Sequence, residues 1–224
     1  MTAELPYAPV VARLLRPIQR GFLRLNRWFV APALRAGLGP LIGNPVTAHL
    51  MLLRTRGRRS GHVREAPLGY VIRDGFVYCV AGYGARTPWF LNLVDNSTVE
   101  VVLPGRTLRG VAEPVADDAE WLRAYRSLIG SFGLVGRLVD GGVDHLDDPK
   151  LLATHRVLPV IRIRSLDPPG PLRAGPWDPG GRGWLVVWGA IAGAVALVAM
   201  WRGALLRAPD AGQPIVSPVA AAAG

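Results

Sequence analysis

A chain of 224 residues, half of them hydrophobic, can bury one sizeable core with additions, or two small ones. The formal charge of +10 points to anionic partners such as phosphates or acidic lipid; Lys150 is the only lysine, so arginine carries nearly all of it. With the single cysteine Cys79 an intramolecular disulfide framework is excluded, and His49, His62, His145 and His155 are too scattered to suggest a metal site.

The first residues, Met1 to Pro9, lack a charged start followed by an apolar run, so no cleaved signal peptide is expected. From Arg13 to Phe29 the spacing predicts an amphipathic helix. Arg13, Arg16, Arg20, Arg24 and Arg27 fall on one stripe and Leu14, Ile18, Phe22, Leu25 and Phe29 on the other, with Pro17 starting or kinking it. Such a helix either lies on an anionic bilayer or docks its apolar face on the domain. The Gly/Pro-rich stretch from Ala31 to Pro45 reads as linker.

Leu50 to Thr55 and Val63 to Ile72 then read as two antiparallel strands around the turn Gly57-Arg58-Arg59-Ser60-Gly61. This hairpin gathers Arg54, Arg56, Arg58, Arg59 and Arg64 into a small volume. Concentrated like charge calls for an anion, and the guanidinium fork suits phosphate and carboxylate. The turn is also expected to offer backbone N–H groups and the Ser60 hydroxyl to that anion. The alternative is a basic tip that merely faces water.

Arg73-Asp74-Gly75 marks a turn between Tyr70–Ile72 and a strand over Phe76–Val80. Cys79, inside the apolar run Val77 to Ala81, reads as a buried structural thiol. Gly82-Tyr83-Gly84 opens a loop, Pro88 to Leu93 suits a short helix, and Val99–Leu103 and Thr107–Pro114 suit strands joined by Pro104-Gly105. Asp117 or Asp118 can cap a helix through Trp121, Leu122, Tyr125, Leu128 and Ile129. A short helix near Lys150 to His155 precedes a last strand, Leu158 to Ile163. About six strands with a few helices predict a small antiparallel barrel with appended helices.

Asp167 to Gly183 is dense in Pro and Gly and reads as a flexible linker without regular structure. Trp184 to Trp201 carries no charge, and as a helix it would be about 27 Å long, close to the hydrocarbon thickness of a bilayer. Tryptophans mark both ends, with Arg182 and Arg202 just outside, so a membrane span is expected. Gly189 and Gly193 form a G-x-x-x-G pair, a hint of helix–helix contact. The Ala/Pro-rich tail is expected to be disordered.

Read together, Gly57, Arg58, Ser60, Gly61, Arg64, Pro67 and Leu68, followed by Gly82-Tyr83-Gly84 and Pro88-Trp89-Phe90-Leu91-Asn92-Leu93, resemble the deazaflavin (F420)-dependent nitroreductase and quinone reductase family over about Leu50 to Arg164. The resemblance implies a mainly β fold with helices: a split β-barrel of the FMN-binding type, with the N-terminal amphipathic helix and the C-terminal transmembrane helix added. It divides the chain into a basic helix and linker (1–45), the reductase domain (46–166), a Pro/Gly linker (167–183), the span (184–201) and a tail (202–224). It implies that Arg58, Arg59, Ser60 and Arg64 meet the coenzyme's phosphate and glutamate tail. Pro67, Leu68, Ala81, Gly82 and Tyr83 would border the ring, with Pro88, Trp89, Phe90, Leu91 and Asn92 opposite.

The activity implied is hydride transfer from the reduced deazaflavin to a quinone or nitro-type acceptor, with no metal. Trp89 and Phe90 can equally be core. Phe90 stands where the family commonly has tyrosine. Tyr125 and Phe132 replace the tyrosine cluster of the nitro-reducing member, so no residue is assigned as catalytic. One alternative is a flavin enzyme holding FMN in the same barrel; another is a non-catalytic, membrane-tethered deazaflavin-binding module. Nucleic acid is not expected as a partner, because the basic residues lack interleaved aromatics. A homodimer is compatible with the sequence. The expected location is the cell membrane in a single pass, with the reductase domain in the cytoplasm, where the family's coenzyme is made.

Overall fold

The computed structural model describes residues 26–42, 48–132 and 145–206. Contacts divide the chain into two units, residues 1–187 and 188–224.

The first unit is organised by seven strands: β1 (Leu50–Arg56), β2 (Val63–Gly69), β3 (Val71–Arg73), β4 (Phe76–Val80), β5 (Thr98–Leu103), β6 (Arg106–Pro114) and β7 (Val160–Asp167). They form one sheet in the order β2-β1-β5-β6-β7-β4-β3, with every pairing antiparallel. The edge strands β2 and β3 lie at opposite ends of that order, yet only Tyr70 separates them in the chain. The sheet must therefore curl until its ends meet at Tyr70. The expected return strand Val63 to Ile72 is broken there, giving seven strands where about six were expected.

Alternation fixes what lies inside the curl. Met51, Leu53, Val77, Cys79, Val99, Val101, Leu108, Ile161 and Ile163 turn inward around Tyr70. Helix α3 (Pro88–Asp95) adds Trp89, Phe90 and Leu93 to that core. Cys79 lies here fully buried, and burial pushes its thiol up to about 12, as expected for a structural cysteine.

Outside the curl, α4 (Asp118–Ser131) covers β3, β4 and β7. Its buried residues Trp121, Ala124, Tyr125, Leu128 and Ile129 fall at helical spacing, and the Asp117 carboxylate accepts from the Glu120 N–H at 2.7 Å as its cap. Helix α5 (Asp148–His155) packs beside it, capped by Asp147. Phe132, just past α4, lies over Gly69, where an added Cβ would come 1.8 Å from its ring. Gly69→Ala should therefore cost about 1–3 kcal/mol by overpacking. In a urea denaturation series, Phe132→Ala in the same chain should remove most of that loss, as expected of residues in contact.

Two expected linkers are corrected. Within Ala31 to Pro45, α1 (Ala31–Arg35) and α2 (Gly39–Ile42) are short helices. The first follows a π turn over Asn26–Val30, and Val30, Ala31 and Leu34 are buried against Leu52. The sequence hid this because Pro32 stands in the first turn, where helices accept it. The amphipathic stripe of residues 13–25 and the tail beyond 206 lie outside the described residues.

Asp167 to Gly183 has no regular structure past β7, but it is a fastened strap. The Leu172 N–H donates to the Gly75 carbonyl at 2.9 Å and its side chain is buried. Gly75 has a φ of +85°, and a Cβ there would come 2.6 Å from Pro171, so the β3–β4 turn and the strap both require glycine.

The second unit holds most of α6 (Gly183–Leu206), a 24-residue helix. Its window Gly183–Met200 has a mean hydropathy of 2.0 and is only 6% buried. Among the described residues it is the one helix long and apolar enough to cross a membrane.

Candidate functional site

The β1–β2 hairpin is paired without a slip from Leu50 opposite Gly69 to Arg56 opposite Val63. Opposed residues share a face. Thr55, Arg64, Ala66 and Leu68 are thus on the inner face, and Arg54, Glu65 and Pro67 on the outer. Pro67, expected at the ring, stands beside Leu52 on the outer face, away from Arg64 and Leu68.

At the tip four backbone N–H groups are already hydrogen-bonded. Gly57 N–H donates to the His62 carbonyl at 2.8 Å, and Ser60 and Gly61 N–H donate to the Gly57 carbonyl at 3.2 and 2.7 Å. The Arg58 N–H donates to Asn92 Oδ1 at 3.3 Å. These groups do not face outward as expected; the chemistry the tip presents belongs to its side chains. Gly57 is required by space, since a Cβ would be 3.0 Å from Ser60 Oγ and 3.1 Å from the His62 carbonyl.

The five arginines separate into two sets. Arg54 Nε donates to Glu65 at 3.0 Å and its Nη1 donates to Glu100, while Arg35 Nε reaches Glu65 at 2.8 Å. This outer-face chain neutralises Arg54. A depression of about 450 Å³ beside it mixes Arg54, Arg56 and Arg109 with Glu65 and Glu100. Burial alone would raise the Glu65 carboxyl, but hydrogen bonds from Arg35 and Arg54 outweigh it and hold the group below its usual range.

Arg56, Arg58, Arg59 and Arg64, by contrast, are exposed and make no ion pair with a described residue. Arg64 Nη2 donates to Ser60 Oγ at 3.3 Å, and Arg58 Nη1 to Asn92 Oδ1 at 3.3 Å. Buried Asn92, on α3, also donates from Nδ2 to Thr55 Oγ1 at 3.3 Å. It pins the tip to the helix. Arg56, Gly57, Arg58, Gly61, Asp95 and Asn96 line an open depression of about 340 Å³. Asp95 and Asn96, the last residue of α3 and its extended C-cap, were missed in the sequence.

The remaining expected residues are divided. Ala81 is buried, and its N–H donates to the Pro159 carbonyl at 2.9 Å. A Cβ on Gly82 would point into open space. Tyr83 is 47% exposed, and partial burial raises its phenol. The loop is held by Gly84, whose N–H donates to the Ala81 carbonyl and whose carbonyl accepts from Thr87 Oγ1, both at 2.7 Å. Pro88 is exposed and Leu91 half-buried. Trp89 and Phe90 are core, edge to face at 6.3 Å. No hydrogen bond or ion pair among the described residues links Tyr83 to the hairpin.

Away from this face, His49 is 4% exposed and its Nδ1 is buried without a hydrogen-bond partner among the described residues. Burial lowers the imidazole below its ordinary value of 6.5, with Asp178 opposing in part. The folded protein holds this ring neutral, while the unfolded chain takes up the proton first as pH falls. His49 therefore stabilises the fold fully above pH 6.5, and that contribution is lost as pH drops toward the depressed folded value. Denaturation midpoints should fall between about pH 7.5 and 5.5, and the fall should shrink in His49→Gln.

Residues 29–131, a little under half of the chain, match the family model described as F420H(2)-dependent quinone reductase. No curated protein matches. Among solved structures, an F420-H2 dependent reductase (FDR-A) is similar at 22% identity over 51% of this chain and 93% of that one, with a TM-score of 0.36. A conserved hypothetical protein from Mycobacterium tuberculosis is similar at 19% over 56% and 84%, with a TM-score of 0.39. The heme storage protein HutZ from Vibrio cholerae is similar at 16% over 56% and 82%, with a TM-score of 0.35. The residues matched by that family model carry the whole hairpin, the Tyr83 loop and α3.

Proposed function

We propose that this protein is a membrane-anchored oxidoreductase that uses the deazaflavin coenzyme F420 to reduce a quinone or nitro-type acceptor. The observation that carries the reading is the set of four exposed arginines, without an ion pair to any described residue, at a hairpin tip inside the family-matched region. We read the curled sheet as a split β-barrel and α6 as its single membrane span, with the body on the cytoplasmic side.

The residues fit the coenzyme. Arg58, Arg59, Ser60 and Arg64 form a cationic, hydroxyl-bearing cluster suited to a polyanionic tail; a single FMN phosphate would leave most of it unanswered. Asn92 orients Arg58. The open space over Gly82 leaves room for a flat ring beside Tyr83, while Trp89, Phe90 and Leu93 close the inner core to water behind it. When bound, the deazaflavin supplies the hydride. The chain's own part is to bind and align it and to keep its surroundings dry.

The test is calorimetric titration of the full-length, detergent-solubilised protein with deazaflavin and with FMN. Steady-state oxidation of the reduced deazaflavin by a short-tailed and a long-tailed quinone completes it. Deazaflavin binding with quinone-dependent oxidation is expected. Binding of FMN alone would overturn the cofactor, and binding without turnover would make the chain a carrier.

A further inference from the structure

Strand β2 carries Arg64 and Leu68 but has a hydrogen-bonded neighbour, β1, on one side only. An edge strand of this kind is free to fray unless something else holds it. At its C-terminal end stands Tyr70, fully buried, the one residue between β2 and β3. The Tyr70 hydroxyl donates to Asp178 Oδ1 at 2.6 Å. Asp178 belongs to the strap after β7, and it is 2% exposed.

Its other oxygen, Oδ2, accepts from Arg106 Nη2 and from the Gly175 N–H, both at 2.6 Å. Arg106, at the start of β6, also donates to the Arg173 carbonyl at 2.9 Å. One buried carboxylate thus fastens three things at once: the strap's own loop, the first residue of β6, and the junction where the two edge strands of the sheet meet. A buried charge is tolerated only with such a full set of donors, so removing any one of them leaves the rest under-satisfied.

We propose that Asp178 is a positioning residue that acts through Tyr70 to hold edge strand β2, and with it Arg64 and Leu68, in the register the coenzyme requires. The coenzyme part of this rests on the function proposed above; the hold on β2 does not. The strap is then a working part of the site's frame, although it lies 47 residues beyond the family-matched segment at its Asp178.

The experiment compares the full-length protein with Tyr70→Phe, which removes only the hydroxyl, and with Asp178→Asn, which keeps the size and removes the charge. Amide hydrogen exchange is read strand by strand, and deazaflavin affinity by calorimetry. In both variants the β2 amides bonded to β1 should exchange tenfold or more faster, with those between β5 and β6 away from the Arg106 end, from Val101–Leu108 to Thr98–Val111, unchanged. Deazaflavin affinity should fall fivefold or more. Tyr70→Phe combined with Asp178→Asn should bind no more weakly than Asp178→Asn alone, because one route is cut twice.

Unchanged exchange in β2, or equal acceleration in all strands, would overturn the proposal, since the second is what general destabilisation produces. Unchanged affinity with a loosened β2 would overturn the positioning role. A wild-type protein that binds no deazaflavin would sink the proposed cofactor instead, and the exchange of β2 would still decide whether Asp178 holds the strand. If Asp178→Asn fails to fold, Tyr70→Phe carries both readouts.

Discussion

Replacing Arg58 and Arg64 together by alanine should weaken deazaflavin binding by about thirtyfold or more. Each removes a charge-assisted bond worth about 1–3 kcal/mol. Both side chains are exposed and make no ion pair with a described residue, and Asn92 Oδ1 keeps the Arg58 N–H, so the fold should keep its stability. The losses should nearly add, since Arg58 leans on Asn92 of α3 and Arg64 on Ser60 of the turn. Shortening the coenzyme's glutamate tail should shrink the effect, and so should high salt, which screens exposed charge. Calorimetric titration of the double variant checks this; affinity within a factor of three of wild type would remove the hairpin from the site.

Trp121→Ala should be the most damaging single change to the fold, costing about 3–5 kcal/mol. The ring is fully buried in the outer cluster and stacks on Tyr125, with centroids 4.6 Å apart and planes 9° from parallel. Its Nε1 donates to the Leu158 carbonyl at 3.1 Å, just before β7. The Arg156 guanidinium lies over it at 5.6 Å, itself held by Asp118. Alanine leaves a cavity, strands a buried carbonyl and takes away the cation–π partner. Chemical denaturation reads the loss directly; a cost under about 1 kcal/mol would mean that α4 holds the sheet by other contacts.

What could be read in the sequence was what repeats or what punctuates. The antiparallel hairpin, the cap at Asp117 or Asp118 and the α4 stripe each follow a local rule, and the hairpin, the cap at Asp117 and the stripe are in place. The break at Tyr70 was not legible, because nothing local says that a strand must leave one edge of a sheet and begin the other. The strap was misread for a related reason: proline and glycine signal the lack of helix and strand, not the lack of attachment. Asp178 finds its partners 72 and 108 residues away. In the candidate site the charge cluster was legible, but its division was not. Only the pairing of β1 with β2 and β5 shows that Arg54 is answered by Glu65 and Glu100 while the other four arginines make no ion pair with a described residue.

The place of β7 also sets the order of events as the chain leaves the ribosome. β7 is the seventh and last strand of the sheet in the chain, but in space it lies between β6 and β4. Until residues 160–167 emerge, β2-β1-β5-β6 and β4-β3 are two separate ribbons, with bare edges on β6 and β4 and an unsealed apolar face. A fragment cut to the family-matched residues 29–131 lacks the strand that joins them. The nascent protein must therefore wait, with two sticky edges exposed, for the strand that is made after the other six.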